Sequence, residues 1–242
     1  MIGDTDAVLL VGGMGTRLQS VVSSVPKPMA CIGDRPFLEL LVSQLSRQGV
    51  RRLVMCTCHL ANQIESEFGD GRQFDVEIKY SQEPYPLGTT GAIKFAQRLL
   101  SSDRDFLVLN GDSFLEIDFS QLLRFHSEHG GLVSVAVTLV PNARRYGTVQ
   151  IRPDGRVMGL TEKADRDTPG LINAGVYVFR RAVLDHIKEG SASLEKDVFP
   201  ELLDHGVYAL EQKGIFIDIG TPEDYARAQS ISNRLYCAAV DQ

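Results

Sequence analysis

The length, composition and charge of this chain are those of an ordinary globular protein and exclude several functional classes. Its 242 residues are 43% hydrophobic and 23% charged, which is enough chain for a substantial core. The formal net charge of −6 argues against broad nucleic-acid binding, and no apolar run is long enough to span a membrane. Because the N-terminus lacks a basic-then-apolar leader, we expect a cytoplasmic protein with no membrane partner.

Strand and helix patterns alternate through the first half of the chain, which predicts a mainly parallel sheet covered by helices. The predicted strands cover residues 7–11, 53–57, 76–80 and 106–109. The predicted helices cover residues 38–45, 61–68 and 91–100. Asp34 is a candidate cap for the first helix, and Gly49 is its predicted stop.

The second half is richer in strand patterns, and it contains no flexible linker. Strands are predicted over residues 133–140, 148–151, 157–160, 171–179, 208–211 and 215–219. Helices are predicted over residues 119–129, 181–188, 196–203 and 222–233, with His126 and His129 at a solvated helix end. We therefore predict one Rossmann-like α/β domain over residues 1–242. Its nucleotide-binding half would cover about 1–115, and a half for a second substrate would cover about 116–242.

A glycine-rich turn follows the first predicted strand directly. Gly12, Gly13 and Gly15 let the backbone approach a phosphate chain and aim N–H groups at its oxygens, while Arg17 and Lys27 add two positive charges. The turn matches neither the dinucleotide-binding fingerprint nor the phosphate loop of NTPases. It predicts a phosphate site of another kind, and a tight turn with incidental charge is the alternative.

Two aspartates follow predicted strands. Asp112 comes directly after the strand at 106–109, at the sheet edge where ligands of α/β proteins bind, so it is suited to holding Mg²⁺. Asp218 lies near the end of a late strand and is either the cap of the helix that begins at Pro222 or a second functional carboxylate. Cys56 and Cys58 have no second Cys/His pair at zinc spacing, so they are expected to be small apolar residues.

The segment 82–91 is rich in glycine and proline and also admits two interpretations. It could be a plain strand–helix connection in which Thr89 or Thr90 caps the next helix. It could instead be a backbone platform for a planar base, with Gln82 hydrogen-bonding the edge of that base.

Taken together, these motifs resemble the sugar-1-phosphate nucleotidyltransferases, also called NDP-sugar pyrophosphorylases. The opening signature of that family, Gly-Gly-x-Gly-Thr-Arg-Leu followed by Pro-Lys-Pro, matches residues 12–18 and 26–28. Further family motifs follow in the family's order: Gly88-Thr89, Asn110-Gly111-Asp112, Tyr146-Gly147, Glu162-Lys163, Asn173-Ala174-Gly175 and residues 218–222. The resemblance covers nearly the whole chain and implies the nucleotide-diphospho-sugar transferase fold.

The resemblance also implies a role for each matching residue. Arg17 would contact the departing pyrophosphate, and Lys27 would bridge the sugar phosphate and the α-phosphate. Asp112 and Asp218 would hold Mg²⁺. The residues implied to bind the nucleotide are Leu10, Gly12, Gly13, Gly15, Thr16, Gln82 and Gly88. The residues implied to line the sugar pocket are Gly147, Glu162, Lys163 and Asn173.

The segment between the two parts of the signature is similar to that of the D-glycero-α-D-manno-heptose 1-phosphate guanylyltransferases. This implies GTP and the heptose 1-phosphate as substrates, and GDP-heptose for bacterial surface polysaccharide as the product. Mannose, glucose and N-acetylmuramic acid 1-phosphate are the alternatives within the family, and a homo-oligomer stays open. From other classes, a non-catalytic nucleotide-sugar-binding partner would be expected to lack part of the charged set, and a metal-dependent glycosyltransferase would carry an Asp-x-Asp motif.

Overall fold

The computed structural model of the chain describes residues 2–13, 15, 17–18, 20–101, 103–161, 167–188, 190 and 193–240. The first half contains β1 (Asp6–Leu10), β2 (Cys31–Ile32), β3 (Arg35–Pro36), α1 (Phe37–Arg47), β4 (Arg52–Thr57), α2 (Ala61–Phe68), β5 (Glu77–Gln82), α3 (Gly88–Ala96), β6 (Phe106–Asn110) and β7 (Ser113–Leu115). The second half contains α4 (Phe119–His129), β8 (Val133–Val140), β9 (Thr148–Ile151), β10 (Val157–Thr161), β11 (Gly170–Phe179), α5 (Phe199–Leu202), β12 (Val207–Glu211), β13 (Phe216–Asp218), α6 (Pro222–Ser230) and α7 (Ser232–Val240).

A nine-stranded mixed sheet takes strands from both halves of the chain. Its main path runs β10-β9-β11-β6-β1-β4-β5, while β8 pairs with β11 and β12 pairs with β8. The four strands β6, β1, β4 and β5 are parallel, and β11 joins them antiparallel to β6. Two hydrophobic clusters include residues of these strands. This mixed sheet flanked by helices confirms the predicted α/β fold class.

The parallel register brings the carboxyl ends of three strands together. Leu10 at the end of β1 is the register partner of Cys56 on β4 and of Asn110 on β6. The strand β1 is almost wholly buried, as expected for an apolar segment covered on both faces. The loops that follow Leu10 and Asn110 therefore begin side by side at one edge of the sheet.

A glycine in β11 allows the second half to approach this edge closely. The register of β11 against β8 shifts between Asn173 and Tyr177, and Gly175 in that interval has a φ of +76°. A Cβ atom at Gly175 would lie 2.6 Å from Ser113 Oγ and 2.7 Å from Asn110 Nδ2. Because such distances are far below van der Waals contact, a side chain at this position would force β11 away from β6 and β7.

The C-terminal helices pack against the first half of the chain. The predicted single helix over 222–233 is instead two helices, α6 and α7, which are separated at Ile231. Three apolar residues of α7 are buried, and α7 contacts α1; these residues are Leu235, Ala238 and Ala239. Tyr225 and Gln229 of α6 donate hydrogen bonds to the carbonyl oxygen of Cys31 at 2.7 and 2.6 Å. The hairpin that follows Lys27 is therefore anchored by the C-terminal helices.

Several local expectations are wrong. The N-cap residues of α1 and α3 are Pro36 and Leu87, whose side chains make no capping hydrogen bond, rather than Asp34, Thr89 or Thr90. The short strands β2, β3 and β7 were absent from the sequence prediction. The prediction of a solvated end of α4 also fails for His126, which is completely buried and bonds Ser134 Oγ through Nδ1 at 2.9 Å.

Among the residues that the structure describes, no helix combines the length and the apolar character that crossing a bilayer requires.

Candidate active site

A cavity of about 520 Å³ opens at the carboxyl ends of β1, β4 and β6. Its walls come from both halves of the chain, and polar and charged groups converge in it as in other ligand sites of α/β proteins. Six of the seven residues predicted to bind the nucleotide are described, and five of these line it: Leu10, Gly12, Gly13, Gly15 and Gly88. Thr16 lies outside the described residues.

The glycine loop lets Lys27 reach the cavity. Gly15 has a φ of +58°, and a Cβ atom there would lie 2.8 Å from Lys27 Cβ. Glycine is therefore required at this position both for the backbone conformation and for the passage of the lysine side chain. Arg17 follows in the same loop and also lines the cavity. The two cations predicted from the sequence are thus brought to one cavity.

The structure does not bring Gln82 to the cavity; Glu83 takes its place. Gln82 ends β5 with an exposed side chain, whereas Glu83 is 8% exposed and lines the cavity. Glu83 Oε2 accepts a hydrogen bond from the backbone N–H of Leu87 at 2.9 Å. Alternation from the buried Ile78 would instead turn Gln82 inward; the burial of Ser81 shows that the alternation breaks before the end of β5, which the sequence pattern does not reveal.

Burial tunes the Glu83 carboxyl group. Removal from water raises its pKa, and the hydrogen bond from Leu87 partly offsets this increase. Its other oxygen, Oε1, would lie 3.2 Å from a Cβ atom at Gly12, so it stands close to the glycine loop. A partly desolvated acceptor therefore lies where the loop and β5 meet.

The charged centre of the cavity joins Lys27, Asp112 and Asp218. Lys27 Nζ lies 2.6 Å from Asp112 Oδ2, and the lysine side chain is 13% exposed. The pairing of β13 with β7 sets Asp218 opposite Ser113, and the backbone N–H of Ile219 donates to the Asp112 carbonyl oxygen at 3.0 Å. The β7–β13 ladder therefore fixes the two carboxylates next to one another.

Asp218 is a carboxylate of this centre and not a helix cap. The cap of α6 is Thr221, whose side-chain oxygen accepts from the N–H of Asp224. Burial raises the pKa of Asp218, and the charge of Asp112 raises it further, while Lys27 lowers it. A bound cation would offset the effect of burial and of the neighbouring carboxylate on Asp218.

The carboxylates of Asp112 and Asp218 fit Mg²⁺ better than they fit a metal whose ligands all come from the protein. Mg²⁺ is usually held by one or two carboxylates while substrate phosphates and water supply the remaining oxygens. Asp112 and Asp218 place two carboxylates in the cavity, which is the number that such a site would use. Within the described residues no group of three His, Cys, Asp or Glu side chains is placed to hold a metal, and Cys56 and Cys58 form no such group.

The predicted sugar residues are less well placed than the nucleotide residues. Asn173 donates to the Tyr177 hydroxyl at 2.7 Å and accepts from the Gly175 N–H at 2.9 Å, so its amide is already engaged. Gly147 is exposed and, like Asn173, is not among the described residues that line the cavity. Glu162 and Lys163 lie outside the described residues.

The loop between β8 and β9 contributes two cavity residues that were not among the predicted site residues. Arg145 and Tyr146, from the loop between β8 and β9, line the cavity beside Asp218 and Gly220. Burial raises the pKa of the Tyr146 hydroxyl, and the nearby charge of Asp218 adds to this effect. The Tyr146-Gly147 motif indicated that this loop belongs to the site, but the residues that line the cavity are the two before the glycine.

The fold and the cavity together define a class of protein. It is an α/β protein in which a glycine loop, two cations and two carboxylates meet at the carboxyl edge of the sheet. The sequence model of the family described as Nucleotidyl transferase matches residues 6–234, and the chain belongs to that family. The predicted membership of the sugar-1-phosphate nucleotidyltransferases is thereby confirmed at the level of the family.

Two relatives of the chain are named mannose-1-phosphate guanylyltransferases. The chain is 38% identical over 229 residues to a mannose-1-phosphate guanylyltransferase of Mycobacterium tuberculosis, covering 93% of this chain and 64% of the relative. It is 36% identical over 224 residues to the mannose-1-phosphate guanylyltransferase catalytic subunit beta of Drosophila melanogaster, covering 91% of this chain and 61% of the relative. The chain thus spans less than two thirds of the length of either relative.

A solved structure matches over nearly its full length. It is HddC from Yersinia pseudotuberculosis complexed with GMP-PN, with a TM-score of 0.83 and 34% sequence identity. The match covers 93% of this chain and 98% of that chain. The same protein without that ligand matches with the same TM-score and 33% identity.

Proposed function

We propose that this protein joins a nucleoside triphosphate to a sugar 1-phosphate and releases pyrophosphate, with GTP as the favoured nucleotide. The observation that carries the proposal is the cluster of Lys27, Asp112 and Asp218 at the sheet edge beside the glycine loop. Family membership and the guanylyltransferase names of the relatives support this activity.

The proposed reaction is an in-line displacement at phosphorus. An oxygen of the sugar 1-phosphate attacks the α-phosphorus of GTP and forms a new P–O bond. The bond between the α- and β-phosphates breaks, and its electron pair leaves with pyrophosphate. The attacking oxygen is already ionised at neutral pH, so no side chain has to remove a proton. Catalysis then depends on positioning and on neutralising the charge of two anions that must meet.

Lys27 and Arg17 are the side chains proposed to neutralise this charge. Lys27 would contact both the sugar phosphate and the α-phosphate, because it is mostly buried at the centre of the cavity. Arg17 would contact the departing pyrophosphate from the glycine loop, and backbone N–H groups of that loop would face the phosphate oxygens. No nucleophilic side chain is needed.

Mg²⁺ is the proposed cofactor, with Asp112 and Asp218 as its protein ligands. When bound, it would neutralise negative charge on the phosphates of the reacting nucleotide. Lys27 would then orient the Asp112 carboxylate through the ion pair already present.

Glu83 supports guanine as the base. The N1–H and exocyclic N2–H₂ groups of guanine are both donors, and a buried carboxylate is a strong acceptor for such groups. Adenine and cytosine present an unprotonated ring nitrogen at the corresponding position, which a carboxylate would repel. Glu83 lines the cavity near Gly12 and Gly88, and this neighbourhood supports its contact with the base.

The sugar is proposed to have the manno configuration. The resemblance of the loop after the glycine signature favours D-glycero-α-D-manno-heptose 1-phosphate, while the names of the relatives favour mannose 1-phosphate. The structural match to HddC supports the fold and the length of the chain, and it does not distinguish between the two sugars. GDP-heptose synthesis for a surface polysaccharide, a cytoplasmic location and a homo-oligomer stay predictions.

A pyrophosphate-release assay tests the proposal. With Mg²⁺ present, GTP, UTP, CTP, ATP and dTTP are crossed with 1-phosphates of manno-heptose, mannose, glucose and N-acetylmuramic acid. Release with GTP and a manno sugar is expected. Release with another pair would keep the reaction and change the assigned substrates. Binding of nucleotide-sugars without release from any pair would contradict the enzyme and favour a non-catalytic binding protein.

A further inference from the structure

Arg144 and Arg145 are neighbours in the loop between β8 and β9, and their side chains have different surroundings. Arg145 lines the cavity, and 35% of its side chain is exposed. Arg144 is 61% exposed and pairs at 3.7 Å with Asp167, which is itself 64% exposed. One arginine is therefore built into the cavity wall, and its neighbour is a surface residue.

The first turn of α6 fixes the Arg145 guanidinium group. Its Nη1 donates to Thr221 Oγ1 at 3.1 Å and forms an ion pair with Asp224 Oδ2. Thr221 Oγ1 in turn donates to the same carboxylate oxygen at 2.7 Å. The guanidinium carbon also lies 5.6 Å from the centre of the Tyr146 ring. A guanidinium held on one side in this way loses little freedom when it binds an anion.

These contacts leave donors for a ligand. A guanidinium group carries five N–H donors, and both contacts with α6 in the described part of the chain use Nη1. A phosphate can accept two parallel hydrogen bonds from the remaining edge of such a group. The ion pair with Asp224 therefore orients Arg145 without occupying all of its donors.

Arg145 enters the cavity from the opposite half of the chain to the glycine loop. Gly15 and Arg17 belong to the loop after β1, whereas Arg145 belongs to the loop between β8 and β9 and lines the cavity together with Asp218 and Gly220. In an in-line displacement the attacking and leaving oxygens lie on opposite sides of the phosphorus. If the glycine loop and Arg17 hold the leaving pyrophosphate, a cation in the other wall faces the attacking phosphate.

We propose that Arg145 binds the phosphate group of the incoming sugar 1-phosphate and that Asp224 is the positioning residue that orients it. This inference rests on the proposed nucleotidyl transfer and adds a residue for the second substrate. In the proposed reaction Lys27 would contact both reacting phosphates while it is also paired with Asp112. A second cation lowers the repulsion between the two anions as they approach.

Steady-state kinetics of four variants test the inference: Arg145→Gln, Arg145→Lys, Asp224→Asn and Arg144→Gln as the matched surface control. Arg145→Gln is expected to raise the KM for the sugar 1-phosphate roughly tenfold to a hundredfold and to leave the KM for GTP within about twofold. Arg145→Lys should raise this KM less than Arg145→Gln does, because lysine keeps the positive charge but lacks the paired N–H donors of a guanidinium group. Asp224→Asn should raise the same KM by less, and Arg144→Gln should change neither KM.

Two results would overturn the inference. One is an equal rise in both KM values for Arg145→Gln; the other is no rise in either. If Arg145→Gln does not fold, the other two variants decide. An unchanged KM for the sugar 1-phosphate in folded Asp224→Asn and Arg145→Lys would also overturn the inference. Failure of the proposed function differs, since the unaltered protein would then release no pyrophosphate from any substrate pair.

Discussion

Lys27 Nζ lies 2.6 Å from Asp112 Oδ2, although 85 residues separate the two in sequence. The lysine reaches this point past Gly15, where a Cβ atom would lie 2.8 Å from Lys27 Cβ. A Cβ atom at Gly220 would lie 3.4 Å from Lys27 Nζ, which places the ammonium group beside the segment of Asp218 as well. One cation thus links the loop after β1 with the carboxylates after β6 and in β13.

Lys27→Ala is expected to lower kcat by about a hundredfold to a thousandfold, comparable to the loss of one preorganised donor at a reacting group. Its removal also takes away the charge that favours ionisation of Asp218. The measurement is kcat from pyrophosphate release, with thermal unfolding as a check on the fold. Lys79→Ala, at an exposed lysine of β5, is the control. Near-normal turnover of Lys27→Ala would remove Lys27 from the mechanism.

Asp218→Asn is expected to weaken Mg²⁺ binding at least about tenfold, because one of two charged oxygen ligands is lost. Calorimetric titration of Mg²⁺ in the presence of the nucleotide measures this directly, and chelation by EDTA should abolish turnover of the unaltered protein. Asp34→Asn is the control, because the Asp34 side chain is 91% exposed. Unchanged Mg²⁺ affinity in Asp218→Asn would exclude Asp218 as a ligand.

Glu83→Gln is expected to raise the KM for GTP by about tenfold to a hundredfold, since a hydrogen bond to a charged acceptor is worth about 1.5–3 kcal/mol. A glutamine can still accept from the Leu87 N–H, but its amide nitrogen would face the donor edge of guanine. The measurement is the ratio of kcat/KM for GTP and ATP. A parallel Gln82→Ala variant decides between adjacent residues: a loss there, with Glu83→Gln unaffected, would restore the family-based assignment of Gln82.

Gly15→Ala is expected to reduce both stability and activity. Left-handed backbone costs about 1–2 kcal/mol for a residue with a Cβ atom, and the new methyl group would also displace Lys27. Gly130→Ala is a matched control, because Gly130 has left-handed backbone with a φ of +69° but nothing within 4 Å of the added Cβ. Gly130→Ala should lose stability alone. Equal kcat values for the two variants would show that Gly15 is needed only for the turn.

His126 predicts a pH dependence of stability. Burial lowers its pKa from 6.5 to about 4, and Arg180 adds to this effect while Asp105 opposes it. The folded state keeps the His126 imidazole neutral, whereas the unfolded state protonates it at a higher pH. The contribution of His126 to the free energy of unfolding is therefore complete above pH 6.5 and is lost as the pH falls towards 4. The loss is on the order of 3 kcal/mol.

The measurement is the free energy of unfolding by denaturant between pH 7 and pH 4, for the unaltered protein and for His126→Gln. A glutamine can still bond the Ser134 hydroxyl but does not titrate. The unaltered protein should therefore lose more stability over this interval than the variant does. Parallel pH curves for the two proteins would show that His126 does not become charged on unfolding in this range.

The parts of the site that follow strand ends could be predicted from the sequence. A short apolar run such as β1 identifies a buried parallel strand, and the loop at its carboxyl end carries Gly12, Gly15 and Arg17 into the cavity. The same reasoning places Asp112 after β6. These predictions succeed because the position of a residue relative to the end of its own strand is a local property.

Choices between adjacent residues could not be made in this way. Gln82 and Glu83 are neighbours, and the end of β5 turns one outward and the other into the cavity. His126 shares a helix face with the buried Phe119 and Leu122, and Ser134 of β8 supplies the hydrogen-bond partner that allows a histidine to be buried there. In each case an element that is distant or differently oriented decides which side chain is buried.

The sequence by itself determined the family, the alternation of strands and helices and the residue types that the phosphate chemistry needs. The tertiary structure decided which of them meet. Asp218 could have been a helix cap until the backbone gave that role to Thr221. Arg144 and Arg145 are chemically identical neighbours, and only the packing of α6, with Asp224 79 residues further along, holds Arg145 in the cavity. The local sequence pattern indicates which segments form strands and helices. The direction in which a side chain points depends on packing against residues that are distant in the sequence.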